Sequence, residues 1–402
     1  MSGAALRHEV GADAAVAASI EHCVHVLRER LGSRLVGIVL TGSFARGEGT
    51  VVPIDGHLRV LGDIEFLVIL PHGRDYRALR PALAGWSRQV SQTLGEQGVR
   101  VDVEFGPAEE SYLRRRARPS IFVYELRTHG RVVWGPADLL RRIPPFGADA
   151  IPRADAVHLI FNRAIEQLDA WDRVGGLSGE ALFDVAYQRL KLRLDLAGSA
   201  LAFAGRHVSA YAARPRAFAA LLDGTPTLAA LLPPAFVDDL GQAARAKLAP
   251  GLADVLPAGP PAQQRAWVRA EIQRHVAAVA AVLRWELGQL LGGDAPLPVL
   301  LERWIDAQPW RGRGRQWAKL ALHPMPAPLP LSARRAARLA LRSTPRALTY
   351  AAGATAYLAL GADGPATGAA ARLLPLAGPS PASAADERAA ITAFWRWCIR
   401  ND

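Results

Sequence analysis

Three short stretches in the first quarter of the chain decide the fold. Residues 40–48 read LTGSFARGE, residues 62–68 read GDIEFLV, and residues 100–105 read RVDVEF. Each belongs to or follows an apolar run bounded by turn-forming residues, and such runs predict buried strands. The predicted strands are Leu35–Leu40, Ile64–Leu70 and Val101–Phe105, with helices predicted at Ala12–Leu31 and Asp75–Leu94 and an edge strand at Arg131–Trp134.

The first stretch predicts a phosphate-binding turn. A strand that ends in Gly42 and Ser43 and opens into a helix offers free backbone N–H groups to a phosphate. Glycine permits the close approach, and the Ser43 hydroxyl adds a further donor. Arg46, three residues farther on, is placed to reach the same phosphates with its forked donors.

The other two stretches carry paired acids. Asp63 and Glu65 are two residues apart on a strand, so both side chains point to one face, and Asp102 and Glu104 repeat this spacing. Neighbouring carboxylates repel unless a cation lies between them, and hard oxygen ligands suit Mg²⁺. Two metal ions bridged by such carboxylates can activate a hydroxyl and stabilise a leaving pyrophosphate.

Together, the Gly-Ser turn, the Asp-x-Glu strand and the later strand carboxylate resemble the nucleotidyltransferase superfamily of DNA polymerase β. The stretches GSFARGE at 42–48 and DIEF at 63–66 are most similar to bacterial small-molecule nucleotidyltransferases, including aminoglycoside ones. The resemblance covers roughly residues 30–135, and three separated elements agree in order. It implies transfer of a nucleoside monophosphate, AMP from ATP, to an acceptor hydroxyl with release of pyrophosphate.

The resemblance also implies roles for individual residues. Two Mg²⁺ ions are expected at Asp63, Glu65 and a third carboxylate, with the triphosphate held at Gly42 and Ser43 and also at Arg46. The related pattern favours Asp102 as the third carboxylate, and Glu104, on the same side of the strand, is the alternative metal ligand. A lysine of the helical domain can act as the base that takes the acceptor proton. The expected partners are therefore a nucleoside triphosphate and a small-molecule hydroxyl acceptor.

Lys191 is the candidate base, because it is one of three lysines in the chain and lies on a predicted helix, Glu180–Phe203. Gln188, Lys191 and Asp195 recur at helical spacing on one face. The alternative interpretation is an ion pair between Lys191 and Asp195 on a solvated face. Both interpretations remain open at the level of sequence.

One feature departs from the family pattern. Nineteen residues, 44–62, separate Ser43 from Asp63, which is more than these families usually have. Asp55-Gly56 is flanked by apolar residues, so the sequence predicts an inserted hairpin within 50–61. The insertion is either a longer loop or a contact for the acceptor or a partner.

The fold class expected is an α+β (α/β-like) nucleotidyltransferase domain with a short mixed sheet, followed by an all-α region. We place the first domain at 1–147, a helical acceptor domain at 148–292 and a helical C-terminal extension at 293–402. The extension is rich in Pro and Ala. The strongest predicted helices after the first domain are Arg153–Trp171, Glu180–Phe203 and Gln263–Leu291.

Composition excludes several classes of protein. The chain has 402 residues, a formal net charge of +11 and two cysteines, and no apolar run long enough to span a membrane. We therefore expect a cytoplasmic protein with no membrane partner. The 48 basic residues comprise 45 arginines and three lysines, which is typical of a GC-rich genome, so the groups at 114–118 and 311–315 are interpreted as solvated surface.

Two other functions fit the same motifs. One is a non-catalytic or regulatory protein of the nucleotidyltransferase antitoxin type, although those chains are compact and this one carries a large helical region. The other is transfer to RNA or to a protein. The arginine excess permits an RNA acceptor, but the sequence shows no basic stripe interleaved with aromatic residues.

Overall fold

The computed structural model describes residues 3–323, 329–361, 368–377 and 381–400. The chain divides into two compact units. Unit 1 contains Met1–Pro152 together with Ser209–Ala212 and Arg245–Leu252, and unit 2 contains the rest. The first boundary lies a few residues beyond the predicted one at 147. The predicted second and third domains, 148–292 and 293–402, fall largely in unit 2, and their separation stays a prediction.

Unit 1 is built on a five-stranded mixed sheet, as the sequence predicts. Strands β2, β3, β1 and β5 follow one another in antiparallel pairs, and β4 runs parallel to β3 on the other side of it. The strands are β1 Gly37–Leu40, β2 Thr50–Ile54, β3 His57–Leu70, β4 Val99–Glu109 and β5 Arg131–Trp134.

The predicted inserted hairpin is confirmed. β2 pairs with β3 in antiparallel register from Thr50–Leu61 to Ile54–His57. The two turn residues, Asp55 and Gly56, both have positive φ, of 46° and 83°, as a type I′ turn requires. The insertion is continuous with the strand that carries the paired acids, because β3 runs without interruption through fourteen residues.

Helices of unit 1 bury one face of this sheet. Apolar side chains of β3 and β4, such as Ile64 and Phe105, form one core with Leu27 of the first helix and Leu83 of the third. The opposite face carries the acids near one end and, farther along, a second core that includes Ile69. The helices of unit 1 are α1 Gly3–Leu31, α2 Gly42–Ala45, α3 Gly73–Glu96 and α4 Ile121–His129.

Sequence patterns did not predict α4. Its first residues, Ile121 to Tyr124, are β-branched or aromatic and are therefore typical of strands. The Ser120 side chain caps the helix by accepting a hydrogen bond from the Val123 amide at 3.0 Å. Val123 and Leu126 are buried in the second core, so tertiary packing and the cap together override the local preference.

The described elements beyond Pro152 are helices, apart from an isolated bridge between Leu331 and Leu376. No described helix is both long enough and apolar enough to cross a membrane. The helices are α5 Arg153–Val174, α6 Gly179–Phe203, α7 Arg214–Asp223, α8 Pro226–Leu231, α9 Phe236–Leu248, α10 Leu252–Val255, α11 Pro261–Arg274, α12 Val276–Leu291, α13 Leu297–Asp306, α14 Trp310–Ala321, α15 Ala333–Arg342, α16 Pro345–Leu358 and α17 Ala384–Arg400.

The helix predicted at Gln263–Leu291 is wrong in one respect, because it is broken at His275 into α11 and α12. The His275 ring contacts the carbonyl oxygen of Glu271, one helical turn earlier, and also contacts the Arg193 guanidinium. Burial and, to a smaller extent, the Arg193 charge lower the pKa of His275 to about 3. The neutral ring of His275, and not its backbone N–H, therefore contacts the Glu271 carbonyl oxygen, while the backbone N–H donates to the Ile272 carbonyl oxygen.

Glu286 is a buried carboxyl group inside unit 2. The Ser199 hydroxyl lies 2.7 Å from Glu286 Oε1 and 2.8 Å from the carbonyl oxygen of Ala156. One hydroxyl proton cannot serve both acceptors, so a proton on the carboxyl completes the arrangement. Burial raises the pKa of Glu286 to about 8, and the contact with Ser199 only partly offsets this. Glu286 is therefore protonated in the folded protein at neutral pH.

Glu286→Gln is expected to stabilise the protein at pH 7–8 and to do little at pH 4. Between pH 4.5 and about 8 the unfolded chain has released this proton while the folded protein retains it, so the native stability falls as pH rises. The advantage of the variant should grow by about 1.4 kcal/mol per pH unit in that window. Urea unfolding at several pH values measures it. The exposed Glu96→Gln serves as control, and a pH-independent effect of Glu286→Gln would contradict the burial argument.

Candidate functional site

The parallel pairing of β3 and β4 brings four acids to one face of the sheet. Asp63 is opposite Asp102, and Glu65 is opposite Glu104. The register shifts just before these pairs: β3 advances four residues from Arg59 while β4 advances two. Gly62, immediately before Asp63, has a φ of 112° that favours glycine, so an irregular bulge precedes the acids.

Three of the four acids form a compact group. One carboxylate oxygen from each of Asp63, Glu65 and Glu104 lies within 4.8 Å of the others. Asp102 is exposed and lies outside this group, so the structure does not bring together the set that the family resemblance favours. The Asp63–Asp102 pair directly follows the bulge, where strand twist is greatest. The longer Glu104 side chain reaches the group from the edge strand β4, and the shorter Asp102 side chain does not.

The group concentrates negative charge in a partly desolvated place. Burial raises the pKa of the Glu104 carboxyl, and the neighbouring Asp63 carboxylate raises it further. Asp63 and Glu65 are half-buried. Carboxylate oxygens are hard donors, and three of them this close together form a donor set that fits a divalent cation of the Mg²⁺ type.

The predicted phosphate turn lies beside these acids. The Thr41 amide donates a hydrogen bond to the Glu65 carbonyl oxygen at 2.9 Å, which fixes the end of β1 against β3. Gly42 has a φ of 69°, and a Cβ atom at this position would lie 2.5 Å from Glu65 Oε2. Only glycine fits here, because both the backbone conformation and the approach of the carboxylate exclude a side chain. Ser43 follows on the short helix α2 and is half-buried.

Arg46, predicted to bind phosphate, contacts protein side chains in this structure. Its guanidinium binds Glu48 at 3.0 Å and Glu125 at 2.8 Å, and it stacks over the ring of Tyr211. Burial alone would lower the pKa of Arg46, but Tyr211, Glu125 and Glu48 outweigh burial and raise it. The side chain is only 9% exposed. In the described structure Arg46 therefore links Glu48, Glu125 and Tyr211. Its binding to phosphate stays a prediction.

Lys247 is a buried cation of this region that sequence reasoning missed. Its ammonium group donates to the Glu48 carbonyl oxygen at 3.1 Å and to Thr50 Oγ1 at 2.8 Å, and it lies 5.4 Å from the Tyr211 ring centroid. The residue is 1% exposed. In the sequence, Lys247 stands out only because the chain has just three lysines. No local motif connects it with its partners Glu48 and Thr50, which lie about two hundred positions earlier.

Lys191, the predicted base, belongs to α6 in unit 2 and is half-buried. The alternative partner that the sequence offers, Asp195, binds Arg163 at 2.6 Å and Arg214 at 3.4 Å instead. Asp195 thus pairs with two arginines, Arg163 and Arg214, and not with Lys191 as the alternative interpretation predicted. A catalytic role for Lys191 stays a prediction.

A cavity of about 750 Å³ opens in unit 1 on the same strands as the acids. Leu67 lies two residues beyond Glu65, and Ala108 lies four residues beyond Glu104, so both continue the acid-bearing face. The Glu109 carboxylate binds Ser111 and Arg116 at the polar end. The remaining lining residues include Gly73, Tyr76, Pro107, Tyr112 and Phe122.

Comparisons with known proteins add little to this geometry. No family model matches the chain, and no curated protein matches it. One solved structure that is similar is a crystal structure of spectinomycin adenyltransferase AAD(9) from Enterococcus faecialis with ATP and spectinomycin. It is 14% identical, with a TM-score of 0.36, over 63% of this chain and 97% of that chain. A likeness this weak assigns neither fold nor function to this chain.

We expect Gly42→Ala to destabilise the protein more than Gly47→Ala. The two glycines have nearly equal φ values of 69° and 73°, so both substitutions should cost about 1–2 kcal/mol of backbone strain. Only at Gly42 would the new methyl group meet a side chain, that of Glu65, whereas Gly47 has open space. The difference in unfolding free energy measures this contact. Equal losses would mean that the turn is not held against Glu65.

Arg46→Gln is expected to lower the unfolding free energy by about 3 kcal/mol, because Glu48 and Glu125 would be left buried without their cation. Arg34→Gln, an exposed position in the same unit, is the matched control. Chemical denaturation gives the stability, and triphosphate titration gives the affinity. Unchanged stability with a large loss of triphosphate affinity would instead identify Arg46 as a phosphate ligand.

Proposed function

We propose that this protein is a metal-dependent nucleotidyltransferase. It would transfer a nucleoside monophosphate, AMP from ATP, to an acceptor hydroxyl and release pyrophosphate. The observation that carries this proposal is the group of Asp63, Glu65 and Glu104 beside the Gly42–Ser43 turn. A cluster of acids for cations next to a glycine turn for phosphates is the combination that phosphoryl-group transfer needs.

Residues of the acid group would hold the metal. Asp63, Glu65 and Glu104 supply carboxylate oxygens within 4.8 Å of one another, and both burial and the Asp63 carboxylate, whose charge a cation would offset, raise the pKa of Glu104. When bound, Mg²⁺ would polarise the phosphate oxygens and stabilise the charge of the leaving pyrophosphate. Asp102, exposed and adjacent in register to Asp63, is proposed as an outer neighbour of this set.

The Gly42–Ser43 turn would position the leaving group. The absence of a side chain at Gly42 lets phosphate oxygens approach the backbone, and Ser43 adds a hydroxyl donor. In the transfer step the acceptor oxygen bonds to the α-phosphorus, and the bond from that phosphorus to the pyrophosphate oxygen breaks. The acceptor proton passes to a base, for which Lys191 is the proposed residue on the strength of the family resemblance alone.

The cavity beyond the acids is suited to the organic part of a substrate. Its volume of about 750 Å³ lies within the range of small-molecule sites. The rings of Tyr76, Tyr112 and Phe122 offer apolar faces, while Glu109 and Arg116 offer an acceptor and a donor at one edge. These features support a small-molecule partner rather than a protein surface as the ligand of this face.

The acid group makes a prediction that separates Glu104 from Asp102. Glu104→Gln and Asp63→Asn should each reduce transfer by more than a hundredfold and weaken Mg²⁺ or Mn²⁺ binding, because each removes one oxygen ligand of three. Asp102→Asn should reduce transfer less than tenfold, because its carboxylate lies outside the group. Calorimetry with Mn²⁺ and release of pyrophosphate from labelled triphosphates measure the two effects.

These variants are informative only if they remain folded. Circular dichroism and thermal unfolding should be close to wild type, since all of these side chains are exposed or half-buried. A larger loss in Asp102→Asn than in Glu104→Gln would restore Asp102 as the third ligand. Full transfer activity in Asp63→Asn would refute the proposed function itself.

A further inference from the structure

The positive charge of this chain is concentrated in one acid-free segment. Residues 307–346 contain no Asp or Glu, whereas the whole chain has a net charge of +11. This segment includes α14 and α15, which we call the basic helix pair. The nine cationic residues of the segment are Arg311, Arg313, Arg315 and Lys319 on α14, Arg334, Arg335, Arg338 and Arg342 on α15, and Arg346 on α16.

Some of these arginines have structural partners. Arg313 donates to the carbonyl oxygens of Gln308 and Asp306, Arg335 donates to the Ala371 carbonyl oxygen, and Arg342 binds Asp306. Four others are exposed and make no hydrogen bond or ion pair within the described part of the chain. They are Arg311, Arg315, Arg334 and Arg338.

Large apolar side chains are exposed among these arginines. Trp310 is 71% exposed, Leu322 is 82% exposed and Leu341 is 70% exposed. Monomeric proteins do expose single apolar side chains, but three large ones on or directly after one pair of helices are unfavourable in water.

The charged and apolar side chains share the solvent-facing sides of the two helices. On α15, Arg334, Arg338 and Leu341 follow at intervals of four and three residues, so they lie on one helix face. On α14, Arg311 and Arg315 are four residues apart. Each solvent-facing side is therefore cationic with an exposed apolar residue near its end.

The two helices are tied together at one end. Arg313 donates to the Leu341 carbonyl oxygen at 2.7 Å, and the Trp317 indole donates to the Ser343 carbonyl oxygen at 3.0 Å. These bonds use the inner side of α14. The outer side of α14, with Arg311 and Arg315, is left to face solvent.

We propose that the basic helix pair binds an anionic lipid surface. Clusters of four to eight arginines attract anionic headgroups, and Trp and Leu side chains gain free energy by entering the interfacial region. RNA would satisfy the charge and could stack on Trp310, but it gives no role to exposed Leu322 and Leu341. No described helix spans a membrane, so the association is peripheral and reversible. It is independent of the proposed transfer reaction.

The test is co-sedimentation of the full chain with vesicles. Vesicles of phosphatidylcholine with about 30% phosphatidylglycerol provide an anionic surface. They are compared with neutral vesicles of pure phosphatidylcholine. We expect binding only to the anionic vesicles, and weaker binding as salt increases. A single-stranded RNA oligomer is titrated under the same conditions.

Two variants separate charge from insertion. Replacing Arg311, Arg315, Arg334 and Arg338 by Gln should weaken vesicle binding by about fivefold per residue. The matched control replaces four exposed arginines elsewhere, Arg34, Arg88, Arg127 and Arg216, and should bind nearly as well as wild type. The triple variant Trp310→Ala, Leu322→Ala, Leu341→Ala keeps the charge and should lose vesicle binding by at least tenfold.

Each result either supports or overturns the proposal. Unchanged vesicle binding in the triple variant, or equal losses in the quadruple variant and its control, would overturn it. So would RNA binding that exceeds vesicle binding and depends on the four arginines, because the surface would then be a nucleic-acid site. The thermal unfolding temperature of every variant is measured as a control and should be near that of wild type, because the changed residues are exposed. This control distinguishes a loss of binding from misfolding.

Discussion

Mutual repulsion among Asp63, Glu65 and Glu104 is the constraint around which unit 1 is organised. Their oxygens lie within 4.8 Å of one another, an arrangement that would open if the strands were free to separate. Two apolar cores, one on each face of the sheet, hold β3 and β4 in parallel register against that repulsion. The cores hold the three carboxylates close together in spite of their repulsion, and under the proposed function a bound cation would relieve that repulsion.

Several specific contacts surround the acid group. Gly42 removes the side chain that would collide with Glu65, and Thr41 fixes the end of β1 to β3. Arg46 and Lys247 are both buried against Glu48 or its backbone and against Tyr211, so the chain that follows the turn is anchored by buried charges rather than by a flexible loop. Under the proposed function, a preorganised turn of this kind would avoid the entropic cost of ordering when a phosphate binds.

Sequence reasoning succeeded where the signal is local. Strand alternation fixes the common face of Asp63 and Glu65, and Asp55-Gly56 specifies a two-residue turn, so both were predictable. Which of Asp102 and Glu104 lies close to Asp63 and Glu65 was not predictable, because it depends on a bulge at Gly62 and on side-chain length. The contact of Arg46 with Glu125, the burial of Lys247 and the helix break at His275 were not predicted either, because the partners of these residues are distant in sequence and pattern rules do not register such contacts.

The bulge before Asp63 has a consequence for how this chain tolerates changes in length. β3 gains two residues over β4 there, an even number, so alternation is preserved and the acids keep their face. Gain or loss of a single residue at that point would move the side chains of either the hairpin or the acid-bearing end of the strand to the opposite face of the sheet. Lengthening at the Asp55-Gly56 tip would leave both untouched, because the strand pairing on either side of the tip is complete. The tip is therefore the natural place for evolution, or an engineer, to graft new sequence.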